Sequence, residues 1–285
     1  MPELPEVETM RRGILPIVGL TVADVARVAC PRKPIEVAPR IDVFRRRAVG
    51  RRIVDVRRAG KRVLVVLDTD DAIVFEPRMT GLVLIADPPD ATYLRIRIGL
   101  EPDAGGGETP RELWFWDRRG LGNVRLLSAT EQAAAFGPPR LGPDALSITL
   151  DELRAHLCQS RRPIKVALLD QRALAGVGNL YASEMLHRAA IHPARPCDRL
   201  RAGQWSRLHA ALGEVLREAI AHEGSTLSDG TYRNALNQAG GYQNCHRVYD
   251  RENEPCPACR TARIRRIVQA QRATFFCPKC QRAPR

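Results

Sequence analysis

The stretch CPACRTARIRRIVQAQRATFFCPKC (256–280) sets two C-x2-C pairs seventeen residues apart. Four thiolates at that spacing are the donor set of a structural, tetrahedral Zn2+. Four protein ligands leave no open coordination position, so such a zinc folds a module and does no chemistry. Cys256, Cys259, Cys277 and Cys280 are therefore read as holding one structural zinc in a small module over 245–285. Between the pairs runs an apolar and basic hairpin pattern with Arg263, Arg265, Arg266 and Arg272. A zinc hairpin with arginine at its tip suits a DNA groove or a phosphate; zinc ribbons also mediate protein contacts.

The charge follows the same direction. Of a net +13, residues 251–285 hold nine Arg or Lys against two Glu, a surplus of seven. That imbalance points to a polyanionic partner, with a solvated Arg-rich surface as the bland alternative. Lysine is rare: only Lys33, Lys61, Lys165 and Lys279 among 45 basic residues. The acidic start, MPELPEVETMRR, resembles neither a secretory signal nor a transit peptide, and no apolar run reaches the roughly 18 residues that span a membrane. The expected location is the cytoplasm. Cys30, Cys158, Cys197 and Cys245 are scattered and read as ordinary reduced thiols.

Working back from the zinc module, the stretch 224–244 has no period and is rich in Gly, Ser and Asn. A structureless segment of about 20 residues is usually functional or disordered. Before it, SITLDELRAHLCQ, IKVALLDQRAL, NLYASEMLHRAAI and GQWSRLHAALGEVLREAIAHEG read as four helices. A break at FGPPRLGPD (136–144) separates these from about 20–127, where runs such as RVLVVLD, AIVFE and ELWFWD alternate with period two, as in a β-sandwich or barrel. EPDAGGGETP (101–110) reads as a loop. Residues 3–12 suit a short helix, acidic at its start and basic at its end. The fold class is α+β: an N-terminal helix on a β-sandwich over 1–137, a helical domain over 138–244, and the zinc hairpin over 245–285.

Two further signals carry chemistry. In LAGVGNLYASE (174–184), Gly176 and Gly178 precede Asn179, which is placed to cap the next helix. Glycines there either bare N–H groups to a phosphate or make a tight interhelical turn. In RRAGKRVLVVL (57–67), Lys61 is either a site that wants an ammonium or a solvated strand-edge lysine.

Together PELPEVETMRRG, RRAGKR, MTG (79–81), GVGNLYASE and QRATFFCPKC resemble the formamidopyrimidine-DNA glycosylase family, which includes the endonuclease VIII branch. The likeness runs in order over nearly the whole chain. It implies a β-sandwich with an N-terminal helix, a helix-two-turn-helix domain and a zinc finger. The implied activity is a bifunctional base-excision DNA glycosylase and DNA-(apurinic or apyrimidinic site) lyase. It would act as a monomer on damaged double-stranded DNA, chiefly on formamidopyrimidines and 8-oxoguanine flipped out of the stack. The implied nucleophile is the amine of Pro2, freed by loss of Met1. An α-amino group with a pKa of about 7.7–8.0 is partly neutral near pH 7. Glu3 takes the acid–base role, and Glu6 orders water or the helix start. Glu8 is read as a helix-dipole partner. Lys61 matches a lysine on phosphate near the lesion, and Asn179 and Arg272 match a phosphate clamp. The loop 224–244 lies where the family reads the lesion, with Thr226 and Tyr242 as contacts.

This sequence departs from the family where the vacated stack is filled. Met79 matches the family's Met. Aligned on Asp117 and Gly122, the second loop, WDRRGLGNV, puts Gly120 at the family's Arg and Leu121 at its Phe, with Arg119 one residue away. These departures leave two alternatives beside purine excision: a pyrimidine preference, or a lesion binder without catalysis.

Overall fold

A computed structural model of the chain describes residues 2–102 and 109–283. Most of the loop read over 101–110 lies outside the described residues. The chain forms two compact units, residues 1–137 with 222–241 and residues 138–221 with 242–285.

In the first unit, α1 (Leu4–Gly13) follows Glu3 as N-cap, with Pro5 in the first turn where its missing N–H costs nothing. Leu4, Val7 and Met10 repeat every three residues and are fully buried. Chain order then gives β1 (Thr21–Arg27), β2 (Glu36–Ala38), α2 (Ile41–Ala48), β3 (Ile53–Ala59), β4 (Arg62–Leu67), β5 (Ala72–Glu76), β6 (Gly81–Leu84), β7 (Leu94–Glu101), β8 (Glu112–Asp117), β9 (Asn123–Leu127) and α3 (Ala129–Phe136). One sheet has the order β1-β7-β8-β6 and the other β2-β9-β5-β4-β3. All pairs are antiparallel except β2 with β9.

The unbroken apolar run of β4 has a simple cause. Val63, Val65 and Leu67 face the core shared by the two sheets. Leu64 and Val66 face a second cluster with Ala72 and Val74, onto which Phe136 of α3 packs. Both faces are covered, so alternation disappears. The period-two reading of 20–127 missed α2, where Phe44 and Ala48, four apart, are the buried residues. Eight residues with three consecutive arginines give too short a helical signal.

The segment 222–241 differs from expectation. Its position in the sequence groups it with the helical domain, but it packs into the first unit. Tyr232 and Ala235 belong to that unit's main core, and the N–H of Ile85 donates to the carbonyl of Ala235 at 3.0 Å. Gly13 lets this happen, since a Cβ there would lie 2.5 Å from that of Ala235.

Glu8 does more than offset a helix dipole. It accepts from Arg11, Arg12 at 2.8 Å and Arg58 at 3.1 Å. Burial alone would raise its pKa; the bonds from Arg11, Arg12 and Arg58 reverse that and hold it at about 2, against an ordinary 4.5. A depressed carboxylate stabilises the fold above its unfolded pKa, and that contribution is lost as pH falls from about 4.5 towards 2. We expect Glu8→Gln to lower stability by about 3 kcal/mol at pH 7 and to remove that part of the acid limb, read by urea unfolding from pH 2 to 7.

The second unit contains α4 (Leu150–Leu157), α5 (Ile164–Leu168), α6 (Asn179–Arg188) and α7 (Ala202–Ala221), one for each helix expected. The hairpin β10 (Arg265–Gln269) and β11 (Arg272–Phe276) turns through Ala270 and Gln271, both at positive φ as a two-residue hairpin loop needs. Glu184 of α6, fully buried, accepts the N–H groups of Arg247, Val248 and Tyr249 at 2.8–2.9 Å, binding the start of the zinc module to the helix. Among the described residues, no helix is long and apolar enough to cross a membrane.

Candidate active site and nucleic-acid interface

In the first unit the start of the chain is enclosed. Pro2 is buried and Glu3 is 3% exposed. Glu6 ties this start down with both oxygens: Oε2 accepts from the N–H of Glu3 at 2.8 Å and Oε1 from the N–H of Ser225 at 2.9 Å. One carboxylate thus fixes the helix start and the entry to the 222–241 segment. Tyr232 closes the other side, donating its hydroxyl to the carbonyl of Glu223 at 3.0 Å. Burial, and next the charge of Glu6, push the pKa of Tyr232 well above its usual value, so it stays a neutral donor. Pro2, Thr80, Ser225, Leu227, Thr231 and Tyr232 help line a cavity of about 10 Å³. That is room for about one water.

Met79 sits at the rim of this cavity, 37% exposed. Its turn is joined to the loop carrying Arg119 and Leu121 by Asp117, which is completely buried. Asp117 Oδ1 accepts from the hydroxyl of Thr80 and from the N–H of Arg119 at 3.2 Å; Oδ2 accepts from the N–H of Gly122 at 2.7 Å. One carboxylate therefore places Met79, Arg119 and Leu121 as a set. Leu121 is 44% exposed, an apolar side chain held in solvent. Nothing local in the sequence marks Asp117 for this role, because its partners Thr80 and Gly122 are joined to it only by the fold.

Gly120 has a physical reason to be glycine. Its φ is +64°, and a Cβ would lie 2.6 Å from the carbonyl oxygen of Lys33 and 3.2 Å from a terminal nitrogen of Arg95. Arg95, 2% exposed, fills the space beneath the loop, bonding the carbonyls of Asp117 at 2.8 Å and Lys33 at 2.9 Å. We expect Gly120→Arg to destabilise the first unit by about 2–4 kcal/mol, visible in thermal unfolding, without sharpening discrimination of the opposite base.

Lys61 occupies the second position of the two-residue turn between β3 and β4, after Gly60 at φ +57°. Nearby, Glu76 pairs with Arg62 at 3.1 Å and with Arg78, just ahead of Met79, at 2.8 Å. Thr226 is used inside its own loop, donating to the carbonyl of Tyr232 and accepting from the N–H of Gly240. Tyr242 is fully buried in the second unit against Tyr181, with ring centroids 5.6 Å apart, and is not exposed to a base.

In the second unit the structure brings Asn179 and Arg272 together. Asn179 is not a cap: the N-cap is Gly178, and Asn179 is the first helical residue. Its Nδ2 donates to the carbonyl of Ala273 at 3.0 Å, next to the exposed Arg272. Lys165, 1% exposed, donates to Asn179 Oδ1 at 2.7 Å, the carbonyl of Ala273 at 3.0 Å and the hydroxyl of Thr274 at 2.7 Å. This ammonium locks helix to hairpin. Lys165 was not singled out from the sequence, although its rarity as a lysine was a usable signal.

The four cysteines meet as expected. Their sulfurs all lie within 4.8 Å of one another, with Cys256–Cys280 at 3.9 Å and Cys259–Cys277 at 3.7 Å. Tetrahedral Zn–S bonds of about 2.3 Å imply S–S edges of about 3.8 Å. The donor set therefore fits one structural zinc held by Cys256, Cys259, Cys277 and Cys280.

Three family models match in chain order: the formamidopyrimidine-DNA glycosylase N-terminal domain over 1–124, its H2TH domain over 141–231, and the zinc finger found in FPG and IleRS over 253–283. The formamidopyrimidine-DNA glycosylase of Chloroflexus aggregans is 42% identical, covering 99% of this chain and 98% of the relative. The chain belongs to the formamidopyrimidine-DNA glycosylase family. Another member, from Thermus thermophilus, is 41% identical over 99% of this chain and 98% of its own. The crystal structure of Thermus thermophilus MutM (Fpg) matches with a TM-score of 0.84 at 40% identity, over 98% of each chain. Lactococcus lactis Fpg in complex with abasic-site DNA matches at 0.85 and 30% identity, over 99% of this chain and all of that one. A MutM complex with DNA containing carbocyclic 8-oxo-G matches at 0.84 and 29%, with the same coverage. For this glycosylase family member, the fold is the one the resemblance implies: an N-terminal helix with a β-sandwich, an H2TH helical domain and a zinc-finger hairpin.

Proposed function

We propose that the chain is a base-excision DNA glycosylase with AP lyase activity, removing formamidopyrimidines and 8-oxoguanine from duplex DNA. The observation that carries this reading is the enclosed Pro2–Glu3 start, roofed by the 225–232 stretch through Glu6. After removal of Met1, the nitrogen of Pro2 attacks C1′ of the damaged nucleotide. The C1′–N bond to the base breaks, and the base leaves with a proton. Glu3 supplies proton transfers at the opening sugar. The resulting iminium acidifies the C2′ proton; its loss expels the 3′-phosphate, and a second elimination releases the 5′-phosphate. Hydrolysis frees Pro2.

The other residues hold DNA. Lys61 pairs with a phosphate near the lesion, and Asn179 with Arg272 grips phosphate from the second unit. Met79 and Leu121 fill the vacated stack, with Arg119 towards the unpaired base. The enzyme acts as a monomer in the cytoplasm, on bacterial nucleoid DNA. Borohydride trapping across a lesion panel tests the reading, with each of the four bases opposite. The expected result is a covalent adduct through Pro2 on formamidopyrimidine and 8-oxoguanine duplexes; no adduct on any oxidised base overturns it. Gly120 and Leu121 favour one second reading, a preference for oxidised pyrimidines. Faster excision of thymine glycol than of 8-oxoguanine would select it.

A further inference from the structure

We infer that His187 is a fifth residue of the zinc site, donating an N–H···S hydrogen bond to the thiolate of Cys256 and so fixing the metal module to α6. His187 Nε2 lies 3.4 Å from Cys256 Sγ, within the second unit and 69 residues away in sequence. Both side chains are buried, His187 at 5% exposure and Cys256 at 0%.

The tautomer follows from the surroundings. A zinc-binding sulfur is a thiolate, and hence an acceptor. The other ring nitrogen, Nδ1, is buried without a hydrogen-bond partner. A proton on Nδ1 would be a buried, unsatisfied donor, costing about 1–3 kcal/mol, and would turn the Nε2 lone pair on the sulfur lone pairs. A proton on Nε2 leaves Nδ1 as an unpaired acceptor, the less costly orphan, but removes the lone-pair repulsion and gives the thiolate its donor, so His187 donates.

Cys277 Sγ accepts from the N–H of Cys280 at 3.4 Å inside its own C-x2-C turn. Cys256 receives its donor from α6. That helix then holds the module at both ends. Asn179 in its first turn bonds the hairpin carbonyl of Ala273, and His187 in its last turn bonds a metal ligand. They lie eight positions apart, about 12 Å along the axis. Outer donors of this kind set ligand orientation, and their loss typically costs about 10–100-fold in metal affinity.

The test uses the full-length zinc protein and does not depend on glycosylase activity. His187→Phe keeps a ring but removes the donor; His187→Gln keeps an amide N–H in reach. We expect zinc transfer to a chromogenic chelator at pH 7.5 to be about 10–100-fold faster for His187→Phe and close to wild type for His187→Gln. Equal rates for wild type and His187→Phe, or for the two variants, overturn the inference. Wild-type protein with 113Cd in place of zinc gives a reading free of any folding defect. A scalar coupling between the metal and the His187 Nε2 proton is expected, and its absence in a spectrum that resolves that proton overturns the assignment.

Discussion

Chains that retain Met1 are expected to form no borohydride adduct, while chains that begin at Pro2 are trapped. With Met1 attached, the nitrogen of Pro2 is an amide whose lone pair is delocalised, and it cannot attack C1′. Once freed, it is a secondary amine whose pKa of about 7.7–8.0 leaves a useful neutral fraction near pH 7. The fixed ring and burial against the 225–232 stretch hold that amine in one place. Pro2→Gly loosens the position, and excision is expected to fall by about a thousandfold or more, as when a covalent nucleophile is lost. Binding to a duplex with a stable abasic analogue should change little, because the residues proposed to grip phosphate lie elsewhere. The measurement is intact mass of a partly processed preparation before and after trapping. Adduct on the Met1-bearing mass would refute the proline mechanism.

Loss of the metal should be nearly as severe for binding. The module's own core is Val248, Cys256, Ile264, Phe275 and Cys277, of which two are the cysteines themselves. Five buried residues cannot order about 40, whereas zinc binding to such modules supplies about 10–16 kcal/mol at pH 7. Cys277→Ser is therefore expected to unfold the hairpin. Asn179 and Lys165 then lose the carbonyl of Ala273, and Arg272 loses its fixed position. Affinity for an abasic-analogue duplex should drop about a hundredfold, the size of one or two charge-assisted hydrogen bonds. Helices α4 to α7 should keep their far-UV signal. Affinity within about twofold of wild type would show that the hairpin does not grip DNA.

The legible parts of the molecule were those whose chemistry is local. Four cysteines at fixed spacing, a both-sided strand such as β4 and a long amphipathic α7 announce themselves in a few consecutive residues. What stayed hidden depended on distant partners. The carboxylate of Glu6 reads as a helix-start residue until Ser225, 219 positions later, donates to it. Asn179 looked like a cap because Gly178 precedes it, yet its amide is committed to Ala273. Lys165 sits in an ordinary helical phrase, and only the fold shows three oxygens around its ammonium. Tyr242 is a lesion contact by the place of its loop in the family, but packing against Tyr181 buries it. Gly120 was visible as a departure, but its cause, a carbonyl of the 28–35 loop, was not.

The carbonyl of Lys33 beneath Gly120 has a consequence for descent. Arginine at position 120 carries a stability cost from the first substitution, because the backbone under it must withdraw. Changes to the rule for the base opposite a lesion therefore cost least in stability at the neighbours, Arg119 and Leu121, whose side chains are exposed.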